Sequence, residues 1–162
     1  MCSSDLKYGG LPRIATDLAA AMVGLDVPGL DSGLLIPVPL GRARLRTRGY
    51  NQSERLARAL GRRWGRPVVD LLVRTRDTAA QTALTPEARL ANVAGAFAMR
   101  NAECRMRNEG RPHSALERPL VLVDDVFTTG ATLAEAARAL DQAGARTVSA
   151  VTFGRAVVPD FT

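Results

Sequence analysis

One stretch in the last third of the chain restricts the fold more than any other. Leu120-Val121-Leu122-Val123 is a continuous apolar run that stops at two acids, Asp124-Asp125. An uninterrupted apolar run suits a strand covered on both faces, as in a parallel sheet. After Val126 and Phe127 come Thr128-Thr129-Gly130-Ala131-Thr132, and then Leu133, Ala137 and Leu140 recur on one helical face. This spacing predicts a helix over Ala131 to Ala143, with Gly144 as its cap. Thr147 to Phe153 reads as a further strand. Strand, helix and strand in this order imply a parallel pair joined by a right-handed crossover. The fold class is therefore α/β, an open, mainly parallel sheet with helices on both faces.

The remaining elements fit this class. Pro12 to Val23 predicts a helix opened by proline and stopped by Gly24, with Ile14, Leu18 and Met22 four residues apart. Asp26 to Gly33 is a turn-rich connector, and Leu34 to Val38 a short buried strand. A polar, arginine-rich loop runs from Leu40 to Tyr50. Asn51 is placed to cap the next helix, with Glu54 in capping-box spacing and Leu56, Leu60 and Trp64 on one face. Pro67 to Val73 reads as a strand, and Arg74 to Thr85 as a loop. Thr85-Pro86-Glu87 opens a short helix that carries Leu90 and Val93 inward. Ala96 to Met99 reads as a strand. Asn101 to Pro119 is polar and lacks periodicity, as a flexible insertion or loose hairpin does. The organisation expected is an N-terminal helical segment over residues 1–33 and one domain over residues 34–162, with the insertion at 101–119.

Composition narrows the chemistry. The 162 residues suit one domain. No apolar run approaches the ~20 residues of a membrane span, and the N-terminus has no basic patch followed by an apolar run. A soluble, cytoplasmic domain is the expectation. Cys2 and Cys104 are too far apart in sequence for a zinc motif or a disulfide framework. The single histidine, His113, sits in a polar stretch and reads as solvated, which removes the commonest general base. The net charge of +6 comes almost wholly from arginine, since Lys7 is the only lysine. Arginine suits phosphate oxygens, but net charge alone does not choose between DNA, a phosphorylated metabolite and solubility.

The acidic pair and the glycine turn carry the sharper signal. Ligands of open α/β sheets bind at the carboxyl ends of the strands. A helix start supplies unpaired N–H groups and partial positive charge, a seat for phosphate. Gly130 permits close approach of the backbone, and three threonine hydroxyls add donors. Asp124 and Asp125 can accept hydrogen bonds from neighbouring hydroxyls, as on a ribose, or stand near a divalent cation. An anion seat beside a hydroxyl-accepting pair has the polarity of a ribose 5-phosphate.

Val121 to Thr132 resembles the 5-phosphoribosyl-1-pyrophosphate (PRPP) motif of type I phosphoribosyltransferases. Further blocks resemble the ComF family, the phosphoribosyltransferase-like proteins linked to natural competence. They are Pro37-Val38-Pro39-Leu40, Arg48-Gly49-Tyr50-Asn51-Gln52, Asp77-Thr78 with Gln81-Thr82, and Arg89-Leu90-Ala91-Asn92-Val93 with Ala96-Phe97. The cysteine-rich zinc ribbon with which such proteins usually begin is missing, and Lys7-Tyr8-Gly9 resembles the segment that follows it. The 101–119 stretch is longer than the family pattern leads one to expect.

The resemblance implies a type I phosphoribosyltransferase-like fold and magnesium-dependent phosphoribosyl transfer to an unidentified acceptor. It implies that Asp124 and Asp125 contact the ribose hydroxyls and that Thr128, Thr129, Gly130, Ala131 and Thr132 hold the 5-phosphate. Arg48 and Gly49 would lie near the pyrophosphate, and Gln81 and Thr82 in a loop over the site. Arg48 is the first candidate for the cation at the leaving group, ahead of Arg42, Arg44 and Arg46, and is grouped with Asp124 and Asp125 as catalytic. Magnesium would arrive with PRPP, with Asp124 and Asp125 its candidate protein neighbours. No pocket for a base is visible. The alternative is a non-catalytic PRPP- or nucleotide-sensing protein, or a DNA-binding accessory of DNA uptake. The partners implied are PRPP, an unknown acceptor, single-stranded DNA or DNA-uptake proteins, and a second copy as a homodimer, without membrane insertion.

Overall fold

The computed structural model describes residues 32–78, 86–100 and 115–155. The predicted helix at 12–23 and most of the 101–119 stretch lie outside them. The elements are β1 (Leu34–Pro37), α1 (Arg42–Arg48), α2 (Gln52–Trp64), β2 (Leu72–Arg74), α3 (Pro86–Val93), β3 (Phe97–Met99), β4 (Leu120–Phe127), α4 (Ala131–Gln142) and β5 (Val148–Arg155).

The main sheet has the order β1-β4-β5, and both pairings are parallel. Leu34 pairs with Leu120 and Ile36 with Leu122, while Val121 pairs with Ser149 and Asp124 with Thr152. Side chains alternate across a strand, and the core divides accordingly. Leu34, Ile36, Leu120 and Leu122 pack with Leu133, Ala136 and Leu140 of α4. Leu35, Val121 and Val123 pack on the other face against Ala57 and Leu60 of α2. The apolar run at 120–123 is continuous because it is buried on both faces. Ala115 and Leu116 are also buried in the first cluster. No helix among the described residues is long and apolar enough to cross a membrane.

Two predicted elements take another form. Pro67 to Val73 is not one strand. Val68 makes a single parallel bridge to Leu35, and only Leu72–Arg74 forms β2, antiparallel to β3. The chain thus leaves the main sheet after one bridge and starts a small second sheet. The arginine-rich stretch at 40–50 is not a loop throughout, because it contains α1. That helix has no buried residue, and its N-cap, Gly41, has no side chain to offer. The missing cap comes from Asp77, whose carboxylate oxygens accept the Ala43 N–H at 3.2 and 3.3 Å. A side chain on Gly41 would collide with that carboxylate. Arg46 and Arg48 occupy the last turn, where positive charge complements the helix dipole. Asp77→Ala is expected to cost about 1 kcal/mol, the usual value of a capping side chain. A lower urea midpoint with an unchanged slope would show it, and an unchanged midpoint would leave the cap without weight.

Candidate functional site

β4 runs four residues past its predicted end, so the acidic pair belongs to the strand itself. Asp124 lies one residue past the last pair of β4 with β1, where β4 is still paired with β5. Its Oδ1 accepts the Ser53 hydroxyl at 2.8 Å and the Asp125 N–H at 3.0 Å. Burial, reinforced by the adjacent charge of Asp125, outweighs these hydrogen bonds and pushes its pKa up to about 6. Asp125 is also half-buried, but its Oδ1 accepts a different donor, the Val126 N–H at 2.8 Å. The two carboxylates are therefore not equivalent.

The turn beyond them is shaped by Gly130, which has φ 78 and is the N-cap of α4. A Cβ there would lie 2.9 Å from Cε2 of Phe127. Phe127 packs against the core under the turn, and the Arg155 guanidinium stands 5.9 Å from its ring centre. The helix start receives no side-chain cap, and its first internal bond runs from the Ala134 N–H to the Gly130 carbonyl at 2.8 Å. The Thr129 hydroxyl is buried without a hydrogen-bond partner. Thr128, Thr129, Gly130, Ala131 and Thr132 thus stand together at the head of a twelve-residue helix, directly after the acids.

The Arg48-to-Gln52 block reaches the same edge through α2. Asn51 caps α2 by accepting the Ser53 N–H at 3.2 Å, and its amide donates to the Val38 carbonyl at 3.0 Å. Ser53, one residue on from Gln52, then bonds Asp124. Arg48 donates to Gln52, and Gly49 closes α1 at φ 77. Glu54 does not complete a capping box, because its carboxylate takes Arg58 at 2.7 Å. The exposed Arg42 and Arg46 and the half-buried Arg44 lie with Arg48 on α1. Gln81 and Thr82 lie outside the described residues.

Two site residues escape sequence reasoning. Ser53 looks like an ordinary helix-start residue, and no local pattern reports a bond to Asp124. Arg74 looks like the first residue of a loop. It ends β2 and lines a cavity of about 420 Å³ beside the carboxyl end of β1.

Among the described residues no group of three or more His, Cys, Asp or Glu side chains could hold a metal ion. Two adjacent carboxylates at the rim fit a magnesium ion that arrives on ligand phosphates, since magnesium is commonly held by one or two carboxylates and the phosphates themselves.

Fold and site define an α/β protein whose acidic pair and glycine turn meet at the carboxyl edge of a parallel sheet. No family model matches the chain. It is 37% identical over 158 residues to DNA utilization protein YhgH of Escherichia coli O6:H1, an alignment covering 89% of this chain and 61% of that protein. It is 35% identical over 123 residues to Competence protein F of Haemophilus influenzae, covering 75% and 50%. It is 33% identical over 123 residues to Competence protein ComFC of Bacillus subtilis, covering 75% and 44%. The chain is related to the ComF family, and it spans about three fifths of the length of the YhgH relative.

Proposed function

We propose that the chain binds PRPP in the manner of a type I phosphoribosyltransferase and transfers its phosphoribosyl group to an acceptor not yet identified. The observation that carries this reading is the direct run from Asp124-Asp125 into an uncapped helix start whose buried Thr129 hydroxyl has no partner. The 5-phosphate takes the N–H groups and hydroxyls of residues 128–132. The ribose hydroxyls donate to the acids, chiefly to Asp125, since Asp124 Oδ1 already accepts two hydrogen bonds. Asp124 and Asp125 would help hold a magnesium ion carried on the ligand phosphates, and that ion would neutralise charge on the leaving group. The protein's own share is to position the ring and exclude water.

Asp125→Asn tests the binding step. Calorimetry with PRPP and magnesium is expected to show an affinity at least about tenfold lower, as for loss of a hydrogen bond to a charged group. Equal binding by both proteins would refute the assignment of Asp125. Pyrophosphate release across a panel of bases and amines tests the transfer step, and no release with any acceptor would leave a PRPP-sensing protein.

A second reading has its own observation. α1 presents four arginines on a helix with no buried residue, and relatives carry the names DNA utilization protein and Competence protein. On this reading the chain serves DNA uptake by binding single-stranded DNA. It predicts affinity that falls steeply with salt, and binding indifferent to salt would remove it.

A further inference from the structure

Ser53 lies in the first turn of α2 and is only 4% exposed. Its hydroxyl does not cap the helix. Asn51 does that, by accepting the Ser53 backbone N–H at 3.2 Å. The hydroxyl donates instead to Oδ1 of Asp124 at 2.8 Å. That bond closes a ring through three elements. The Val38 N–H donates to the Val123 carbonyl at 3.0 Å, and the Asn51 amide donates to the Val38 carbonyl at 3.0 Å. Asn51 takes the Ser53 N–H, and Ser53 returns to Asp124, the residue after Val123. The start of α2 is thereby tied to the carboxyl ends of both β1 and the apolar run of β4.

We propose that Ser53 is a positioning residue for the acidic pair: through this ring it fixes Oδ1 of Asp124 and leaves Oδ2 as the oxygen that meets the ligand. This rests on the PRPP reading above, and it assigns a task to a side chain outside the acid-to-glycine run. The terminal torsion of a carboxylate is broad and roughly two-fold. An unrestrained aspartate would therefore offer either oxygen, in a range of planes. Here the Ser53 hydroxyl and the Asp125 N–H, at 3.0 Å, converge on one oxygen. One donor is set by α2 and the other by β4, so the carboxylate is oriented before a ligand arrives. Orientation of this kind raises affinity by removing an ordering cost from the binding step. It also accounts for the residue type. Alanine is the better helix former, and a buried hydroxyl is unfavourable without a partner. Within this ring the partner is Asp124.

The test is calorimetric titration of the whole chain with PRPP and magnesium, and separately with inorganic phosphate. Ser53→Ala removes one oxygen and keeps the Asn51 cap, whose partner is the backbone N–H. It is expected to weaken PRPP roughly 3- to 10-fold, the worth of ordering one side chain. Inorganic phosphate, which fills the seat at residues 128–132 without reaching the acids, is expected to change less than about twofold, as sites without a shared partner do. In an Asp124→Ala background, Ser53→Ala is expected to alter PRPP affinity by less than about twofold, because the carboxylate it acts through is gone. Undiminished PRPP binding by Ser53→Ala, equal losses for PRPP and phosphate, or the same loss in both backgrounds would overturn the proposal while leaving the PRPP reading intact. If the unaltered chain does not bind PRPP, the PRPP reading falls and the positioning role falls with it.

Discussion

Gly130→Ala is expected to abolish PRPP binding and to lower the melting temperature. Two costs act together. The residue has φ 78, where a Cβ costs roughly 1–2 kcal/mol. That Cβ would also stand 2.9 and 3.0 Å from two atoms of the Phe127 ring. The ring packs against the core, so it cannot yield without moving the end of β4. Either response displaces the backbone N–H groups that open α4. A total of about 2–5 kcal/mol is expected, since overpacking adds roughly 1–3 kcal/mol to the backbone strain. Gly144 provides the control. Its φ is 97, but a Cβ there meets nothing within 4 Å. Gly144→Ala is expected to cost only the backbone strain and to leave binding unchanged. If Gly130→Ala binds PRPP like the unaltered chain, the turn is not the phosphate seat.

Asp124→Asn is expected to stabilise the fold above pH 6 while weakening ligand binding. The carboxyl pKa rises from an ordinary 3.8 to about 6, chiefly through burial. An acid with a raised folded-state pKa destabilises the fold when ionised. The cost is absent below about pH 4, grows between pH 4 and 6, and is complete above that. A rise to about 6 corresponds to up to about 3 kcal/mol. Asparagine removes the charge yet can still accept the Ser53 hydroxyl. Thermal melts at pH 4 and pH 8 check the sign, with a gain expected at pH 8 alone. A gain of equal size at both values, or a loss at pH 8, would show that the ionised carboxylate is not strained by its surroundings.

Sequence reading reached the parallel strands and their two helices because burial wrote itself into local patterns. Leu120 to Val123 are all apolar because α2 covers one face and α4 the other. Asn51 is visible as a cap because its partner, Ser53, lies two residues away. The same reading missed α1, whose cap is Asp77, 34 residues downstream. It merged Pro67 to Val73 into one strand because nothing in that stretch marks the passage from the parallel bridge at Val68 to the antiparallel pair at Leu72. At the site, Asp124, Asp125 and the Thr128-to-Thr132 turn were legible since they are contiguous. Ser53 and Arg74 were not, because each acquires its neighbours only through tertiary folding.

The bond between Ser53 and Asp124 also has a kinetic consequence. It joins positions 71 apart in sequence, and Arg118 reaches Ser32 across 86. The β4-α4-β5 unit, by contrast, closes over a short span. Loop-closure entropy and contact order therefore favour early assembly of the unit that carries the acids and the glycine turn. On that order β1 and α2 are expected to dock afterwards, with Asp124 losing its water at that step. In refolding from the full-length unfolded chain, the phosphate seat is therefore expected to form before the raised pKa of Asp124 is established.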